Sequence, residues 1–221
     1  GNHTLTATAT DAAGNVSTSS GNFVVNVDTT PPAVPVLTSV VDDVGATVNL
    51  TNGQLTNDAL PTLNGTAEAG STVNIYDGTT LIGGVVATGG TWSFTPTTAL
   101  ADGPHTLTVR ATDAAGNVSA PTTGFAIVVD ATVPNAPVIS SIVDDVGTVT
   151  GPITGNNPTN DTRPTLNGTA EANATVRIYD GTTLVGTVTA DANGSWTLPQ
   201  TSIALTEGQH NFTATPTDAA G

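Results

Sequence analysis

The chain has 221 residues and a formal net charge of −15, from 18 acidic residues against Arg110, Arg163 and Arg177, with no Lys, Cys or Met. That balance excludes attraction to nucleic acid or to an anionic membrane surface and invites a cation as partner, and the missing cysteines exclude a disulfide-stapled fold. Charged residues make up 10% of the chain, against roughly 25% in an ordinary soluble domain, while Gly, Thr, Val, Ala, Asn and Asp dominate, a β-rich and turn-rich profile.

In chain order, the opening GNHTLTATAT reads as mid-strand. Residues 1–29 are expected to be the last two strands, F and G, of a first domain, so the chain reads as an excerpt of a longer polypeptide with any targeting signal outside it. A Pro-rich junction, VDTTPPAVP at Val27–Pro35, then gives a short, semi-rigid connection. Period-two alternation predicts seven strands beyond it: 35–41 (A), 60–67 (B), 72–77 (C), 80–87 (D), 91–95 (E), 105–112 (F) and 122–129 (G). Val73 and Ile75 alternate with Asn74 and Tyr76, and Leu107, Val109 and Ala111 with Thr106, Thr108 and Arg110. Trp92 and Phe94 share a face, as do Phe125, Ile127 and Val129. No stretch shows a helical period, and apolar runs such as Phe125–Val129 are far too short to span a bilayer. A second junction, VDATVPNAP at Val129–Pro137, leads into a third domain.

The sequence repeats itself. TDAAGN stands at Thr10–Asn15 and Thr112–Asn117, and TDAAG at Thr217–Gly221; Asp11 and Asp113 are 102 positions apart, Asp113 and Asp218 105. VVDDVG at Val40 returns as IVDDVG at Ile142, NDALPTLNGTAEAG at Asn57 as NDTRPTLNGTAEAN at Asn160, and VNIYDGTTLIG at Val73 as VRIYDGTTLVG at Val176. The unit is domain-sized rather than solenoid-sized. The expected domains are 1–29, the C-terminal part of a first repeat; 33–130, a complete repeat; and 135–221, a third repeat lacking its last strand. Seven short strands per repeat predict an all-β chain of tandem immunoglobulin-like sandwiches, with Trp92 and Trp196 as matching core residues.

The ordered run VVDDVG, PTLNGTAEAG, IYDGTTL, WSFTP, HTLTVRATDAAGNVS and VDTTPP resembles the bacterial immunoglobulin-like repeats of giant, type I-secreted non-fimbrial adhesins and biofilm-associated surface proteins. The resemblance covers essentially every residue. It implies domains stacked end to end as a rod, with Ca2+ at the junctions, on a monomeric, secreted protein of the bacterial cell surface.

An antiparallel sandwich fixes the end on which each loop lies. The A–B loop with Asp42, Asp43 and Asp58, the C–D turn with Asp77, the E–F loop with Asp102 and the exit of strand G with Asp130 share one end. The B–C turn with Glu68 and the F–G loop with Asp113 and Asn117 share the other. Stacking then sets Asp28 against Asp113 and Asn117, and Asp42, Asp43, Asp58, Asp102 and Asp130 against Asp218, with Asp144, Asp145 and Asp161 as the third repeat's copies of the A–B acids. Calcium takes six to eight hard oxygen ligands, and these residues are its candidate ligands. Left without metal, carboxylates about 4 Å apart repel by about 1–4 kcal/mol, so the metal-free junction is expected to flex.

For Asp113 two readings stand, a metal ligand or a carboxylate that ties its own turn. Asp77 and Asp180 are more simply hairpin-turn residues, and His3, His105 and His210, with no zinc-like partner set, are structural. The Asn-x-Thr/Ser sequons follow from composition. Neither a nucleophile with a partnered base nor a phosphate loop is visible, so no catalytic residue is expected and an enzyme is the weakest reading. The favoured function is a structural stalk that presents a distal adhesive region, outside this stretch, to a host-cell or surface receptor. The alternative is a carbohydrate- or ligand-binding module using Tyr76 and Tyr179.

Overall fold

The computed structural model describes residues 1–155 and 157–220. Asn156 and Gly221, both within the third expected domain, lie outside the described residues. Every regular element among the described residues is a strand. Contacts group the chain into two compact units, Gly1–Gln54 with Asp58–Val128, and Leu55–Asn57 with Val129–Gly221. Within the second, Thr56 O accepts a hydrogen bond from Asp130 N at 2.9 Å.

The first unit opens with a hairpin of β1 (Asn2–Leu5) and β2 (Phe23–Asn26), antiparallel in register from Asn2↔Asn26 to Leu5↔Phe23. Beyond the Pro-rich junction come β3 (Val36–Asp42), β4 (Val48–Asn49), β5 (Gln54–Thr56), β6 (Thr62–Thr66), β7 (Thr72–Asp77), β8 (Thr80–Val86), β9 (Thr91–Phe94), β10 (Gly103–Thr112) and β11 (Phe125–Val129). They form two sheets, β4-β3-β6-β9 and β5-β11-β10-β7-β8, the layered arrangement of an immunoglobulin-like sandwich. The seven strands expected from alternation are present. The long A–B connection is not a plain loop, however: β4 pairs back on β3 through Val41↔Asn49 and Asp42↔Val48, and β5 takes an edge of the opposite sheet.

Strand G is shorter at its start than the expected 122–129. Before Phe125 the backbone ladder is replaced by hydroxyls: Val109 N donates to Thr122 Oγ1 at 3.0 Å and Ala111 N to Ser119 Oγ at 3.0 Å. Both residues also return backbone bonds, Thr122 N to Val109 O and Ser119 N to Ala111 O, each at 2.9 Å. A side chain thus stands in for one main-chain acceptor of each pair, and no N–H is orphaned.

The core of this unit is the inward face of the two sheets. Val40, Leu63, Val73, Ile75, Leu107, Val109 and Ile127 are fully buried, each contributing on the order of 1.5–3 kcal/mol by burial. Trp92 lies across Gly65, its cross-strand neighbour. A Cβ on Gly65 would sit 2.0 Å from Val36 O and 2.5 Å from the indole, so only glycine fits there.

The second unit carries β12 (Val138–Asp144), β13 (Gly151–Pro152), β14 (Thr165–Thr169), β15 (Thr175–Asp180), β16 (Thr183–Thr189), β17 (Ser195–Leu198) and β18 (Phe212–Thr217) in sheets β13-β12-β14-β17 and β16-β15-β18. Leu166, Val176, Ile178, Val185, Trp196 and Leu198 form its core, with Ile139, Ile142 and Phe212 packed against them. Trp196 lies over Gly168 as Trp92 does over Gly65.

Candidate functional site

The acids of the A–B connection are built the same way in both repeats. β3 ends at Asp42, which is 8% exposed, and the chain turns so that its Oδ1 accepts Val44 N at 2.9 Å. Asp58 is 2% exposed; Oδ1 accepts Leu60 N at 2.8 Å and Oδ2 accepts Asp43 N at 3.3 Å. Asp58 is thereby held beneath the Asp42–Asp43 turn, with the Asp43 side chain in solvent. In the second unit Asp144 Oδ1 accepts Val146 N at 2.9 Å and Asp161 accepts Arg163 N at 2.7 Å and Asp145 N at 3.4 Å. Asp144 Oδ2 also accepts Thr159 Oγ1 at 2.6 Å, and the exposed Asp145 accepts Thr165 Oγ1 at 3.5 Å. The Thr159 hydroxyl, ahead of the Val146 amide, lowers the Asp144 pKa against the opposing effect of desolvation.

TDAAGN forms a self-braced loop. Asp113 Oδ1 accepts Ala115 N and Asn117 N, each at 2.9 Å, and Oδ2 accepts Asn117 Nδ2 at 2.9 Å. The Asn117 side chain, followed by the opposing desolvation and then the loop amides, sets the balance that lowers the Asp113 pKa. The turn reading of Asp113 is therefore realised in geometry. Asp11 repeats it with Ala13 and Asn15. Asn117 Nδ2 also donates to the Asp28 carbonyl at 3.1 Å, bringing Asp28 and the loop together within the first unit. The Asp28 carboxylate accepts Thr30 N at 3.1 Å. Asp102 is exposed on the loop before β10, and Asp130, half-buried after β11, uses its N–H on Thr56 O. Asp218 is half-buried and accepts Ala220 N at 2.9 Å.

Every candidate ligand offers hard oxygens, the chain has no Lys, and the named donors to the buried Asp144 and Asp161 are neutral N–H and O–H groups. That donor chemistry suits calcium. Among the described residues no group of three or more Asp, Glu or His side chains is arranged around one metal position, so the fit is one of donor type and burial.

A second constellation was hidden behind two separate readings, Asp77 as a turn residue and His105 as structural. His105 Nδ1 lies 2.7 Å from Asp77 Oδ2, and its Nε2 2.7 Å from Ala101 O. Asp77 Oδ1 accepts Thr106 N at 3.1 Å, and Gly78 N donates to Thr106 O at 2.8 Å, docking the β7–β8 turn onto β10. The second unit repeats this: His210 Nδ1 to Asp180 Oδ2 at 2.7 Å, Nε2 to Thr206 O at 2.8 Å, Asn211 N to Asp180 Oδ1 at 3.2 Å. Desolvation is the largest single influence on His105 and lowers its pKa, but the Ala101 carbonyl, the Asp77 hydrogen bond and the Asp77 charge together raise it. For His210 the Thr206 carbonyl leads and Asp180 adds to the rise. The available signal was the joint recurrence of IYDGTT and G-x-H in both repeats.

The profile of the family described as "Bacterial Ig-like domain" matches residues 33–131 and 135–221. No curated protein matches the chain. Among solved structures it is similar to "Biofilm associated protein - BSP domain", at 22% identity and a TM-score of 0.28, over 77% of this chain and 27% of that one. It is also similar to the fibronectin(III)-like modules of Clostridium thermocellum CbhA, at 16% identity and a TM-score of 0.39, over 81% and 85%. A third is a Ca2+-stabilized adhesin with which an Antarctic bacterium binds ice, at 20% identity and a TM-score of 0.35, over 97% and 55%. The chain thus spans about a quarter of the biofilm-protein structure and about half of the ice adhesin's. Two tandem profile matches covering most of the residues, on two copies of the same paired-sheet architecture, establish that the chain belongs to the bacterial Ig-like domain family.

Proposed function

We propose that these repeats are a stalk segment of a bacterial surface adhesin, stiffened by calcium and holding a distal adhesive region away from the cell. The observation that carries this reading is the duplicated pair of buried carboxylates, Asp42 with Asp58 and Asp144 with Asp161, at equivalent places in tandem Ig-like domains. These carboxylates are held in place by backbone amides and, at Asp144, by the Thr159 hydroxyl, and with 18 acids against three Arg the chain carries an excess of negative charge that a cation would offset. Asp42, Asp43 and Asp58, and their copies Asp144, Asp145 and Asp161, are the proposed oxygen donors, which the ion would have to draw together because no three of them surround one position among the described residues, with Asp28, Asp113 and Asn117 at the first junction and Asp102, Asp130 and Asp218 as further donors. Bound calcium supplies positive charge and rigid oxygen coordination. Extracellular modules bind it at about 10⁻⁴–10⁻³ M, so such sites fill after secretion, and ligand binding to the folded state alone raises stability.

The repeats act by holding position, with no chemical step. The secreted, cell-surface location and a receptor contacted through other regions belong to this same reading. Thermal melting of the chain across a calcium titration tests it. The wild type gains stability at millimolar calcium, and Asp42→Ala/Asp43→Ala/Asp130→Ala, which leaves the second repeat's acids in place, loses part of that gain. An equal response from the triple variant would remove these residues as ligands.

A further inference from the structure

We infer that the duplicated His–Asp–carbonyl arrangement is a proton-dependent clasp, which locks each repeat's β7–β8-type turn to its E–F-type loop when the imidazole is protonated. In both repeats the two ring nitrogens face acceptors at 2.7–2.8 Å, a carboxylate on one side and a backbone carbonyl on the other. A neutral imidazole has one N–H and can satisfy only one of them; the imidazolium donates to both. Deprotonation therefore sets one ring nitrogen against an acceptor oxygen at hydrogen-bond distance and releases one side of the clasp. The same geometry appears in two domains whose intervening sequences differ, so it is a property of the motif rather than of one loop.

The surroundings favour the charged form. On β7, Asp77 is the charged residue and Tyr76 the other titratable one; β8 and β11 carry neither kind. Asp102 stands on the loop before β10, and Arg110 lies farther along β10. Around His210, β15 supplies Asp180, Tyr179 and Arg177, while β16 and β18 supply no charged group. Asp161 and Glu207 line the same cavity as His210. Its remaining ring neighbour is Phe212, stacked at a centroid distance of 6.4 Å. Acids thus outnumber the Arg near both histidines.

The sign follows from linkage. A histidine whose pKa is higher in the folded state stabilises fully below its unfolded value, ordinarily 6.5, and loses that contribution as pH rises through the folded value. The side-chain carboxylates have ordinary values near 4, so a fall in stability above 6.5 separates the clasp from them.

The test uses the full chain in the presence of a metal chelator, so that its outcome is independent of calcium. The histidine ring protons are titrated by NMR in the folded chain and again in the urea-unfolded chain, and melting temperature is recorded from mildly acidic to mildly alkaline pH. The folded chain should show two histidines with midpoints shifted upward from the unfolded ones, and a melting temperature that falls as pH rises. In Asp77→Asn/Asp180→Asn, which keeps the shape and an oxygen to accept the Thr106 and Asn211 N–H groups, the upward shift and the slope should both be lost. Folded midpoints at or below the unfolded ones, or a slope that survives in the double variant, would overturn the clasp. The wild-type titration decides the matter by itself where the variant does not fold.

Discussion

Leu5 and Leu107 occupy the same place in the phrase HTL, yet Leu5 is 56% exposed and Leu107 is fully buried. The two hairpins are otherwise built alike. Asp11 ties its loop through Ala13 and Asn15 as Asp113 does through Ala115 and Asn117, and Ser17 caps Ala9 N as Ser119 caps Ala111 N. The loop and the hydroxyl-braced ladder are therefore local consequences of sequence. Burial is not local. β10 pairs with β7 in one sheet of a two-sheet sandwich, whereas among the described residues β1 pairs with β2. Pairing with a single strand leaves an apolar side chain exposed and a second sheet buries it, so the energy carried by the same phrase is set by what lies over the strand.

Truncating each leucine separates the two settings most strongly. In the 221-residue chain, Leu107→Ala should destabilise by about 2–5 kcal/mol through lost burial and a residual cavity, and Leu5→Ala by less than about 0.5 kcal/mol, both read by denaturant melts. Equal costs would mean that the opening hairpin is packed in solution. Next in size, Gly65→Ala forces a Cβ into Val36 O and Trp92 and should cost about 1–3 kcal/mol by overpacking. If it were neutral, Trp92 would not be pressed onto β6, and the covering sheet would not be the source of the burial.

The hydroxyl braces give a smaller contrast. Ser119→Ala leaves the buried Ala111 N without its acceptor and should cost about 1–2 kcal/mol, while Ser17→Ala exposes Ala9 N to water and should be near neutral. Acid provides the mildest contrast. The pKa values of Asp11 and Asp113 are lowered chiefly by the amides of Asn15 and Asn117. Their stabilisation is present above the ordinary carboxylate value of 3.8 and lost as pH falls through the lowered ones. Faster amide exchange at Asn15 and Asn117 in that window, with a global melting shift traceable only to Asp113, is the expected result.

The fold was largely legible because alternation is a strong signal wherever one face is buried, as with Val73 and Ile75 or Leu107 and Val109. β4 and β5 were not, since two- and three-residue strands such as Val48–Asn49 carry no period and exist through pairing with partners distant in sequence. The late start of strand G at Phe125 was missed because a hydroxyl can replace a carbonyl as acceptor without altering the apolar pattern. Of the candidate ligands, the sequence placed Asp42, Asp43 and Asp58 in one connection and Asp28 beside Asn117. Burial of Asp58 and exposure of Asp43 emerge only from the turn geometry. The His105–Asp77 pair is 28 positions apart and became visible only once β7 and β10 were in register.

Small-angle scattering of the whole chain, with millimolar calcium and with chelator, tests the central claim most directly. A calcium-stiffened stalk gives a longer, narrower distribution of interatomic distances with calcium, and a broader, more compact one when the metal is removed. Superimposable profiles under both conditions would contradict a calcium-stiffened stalk.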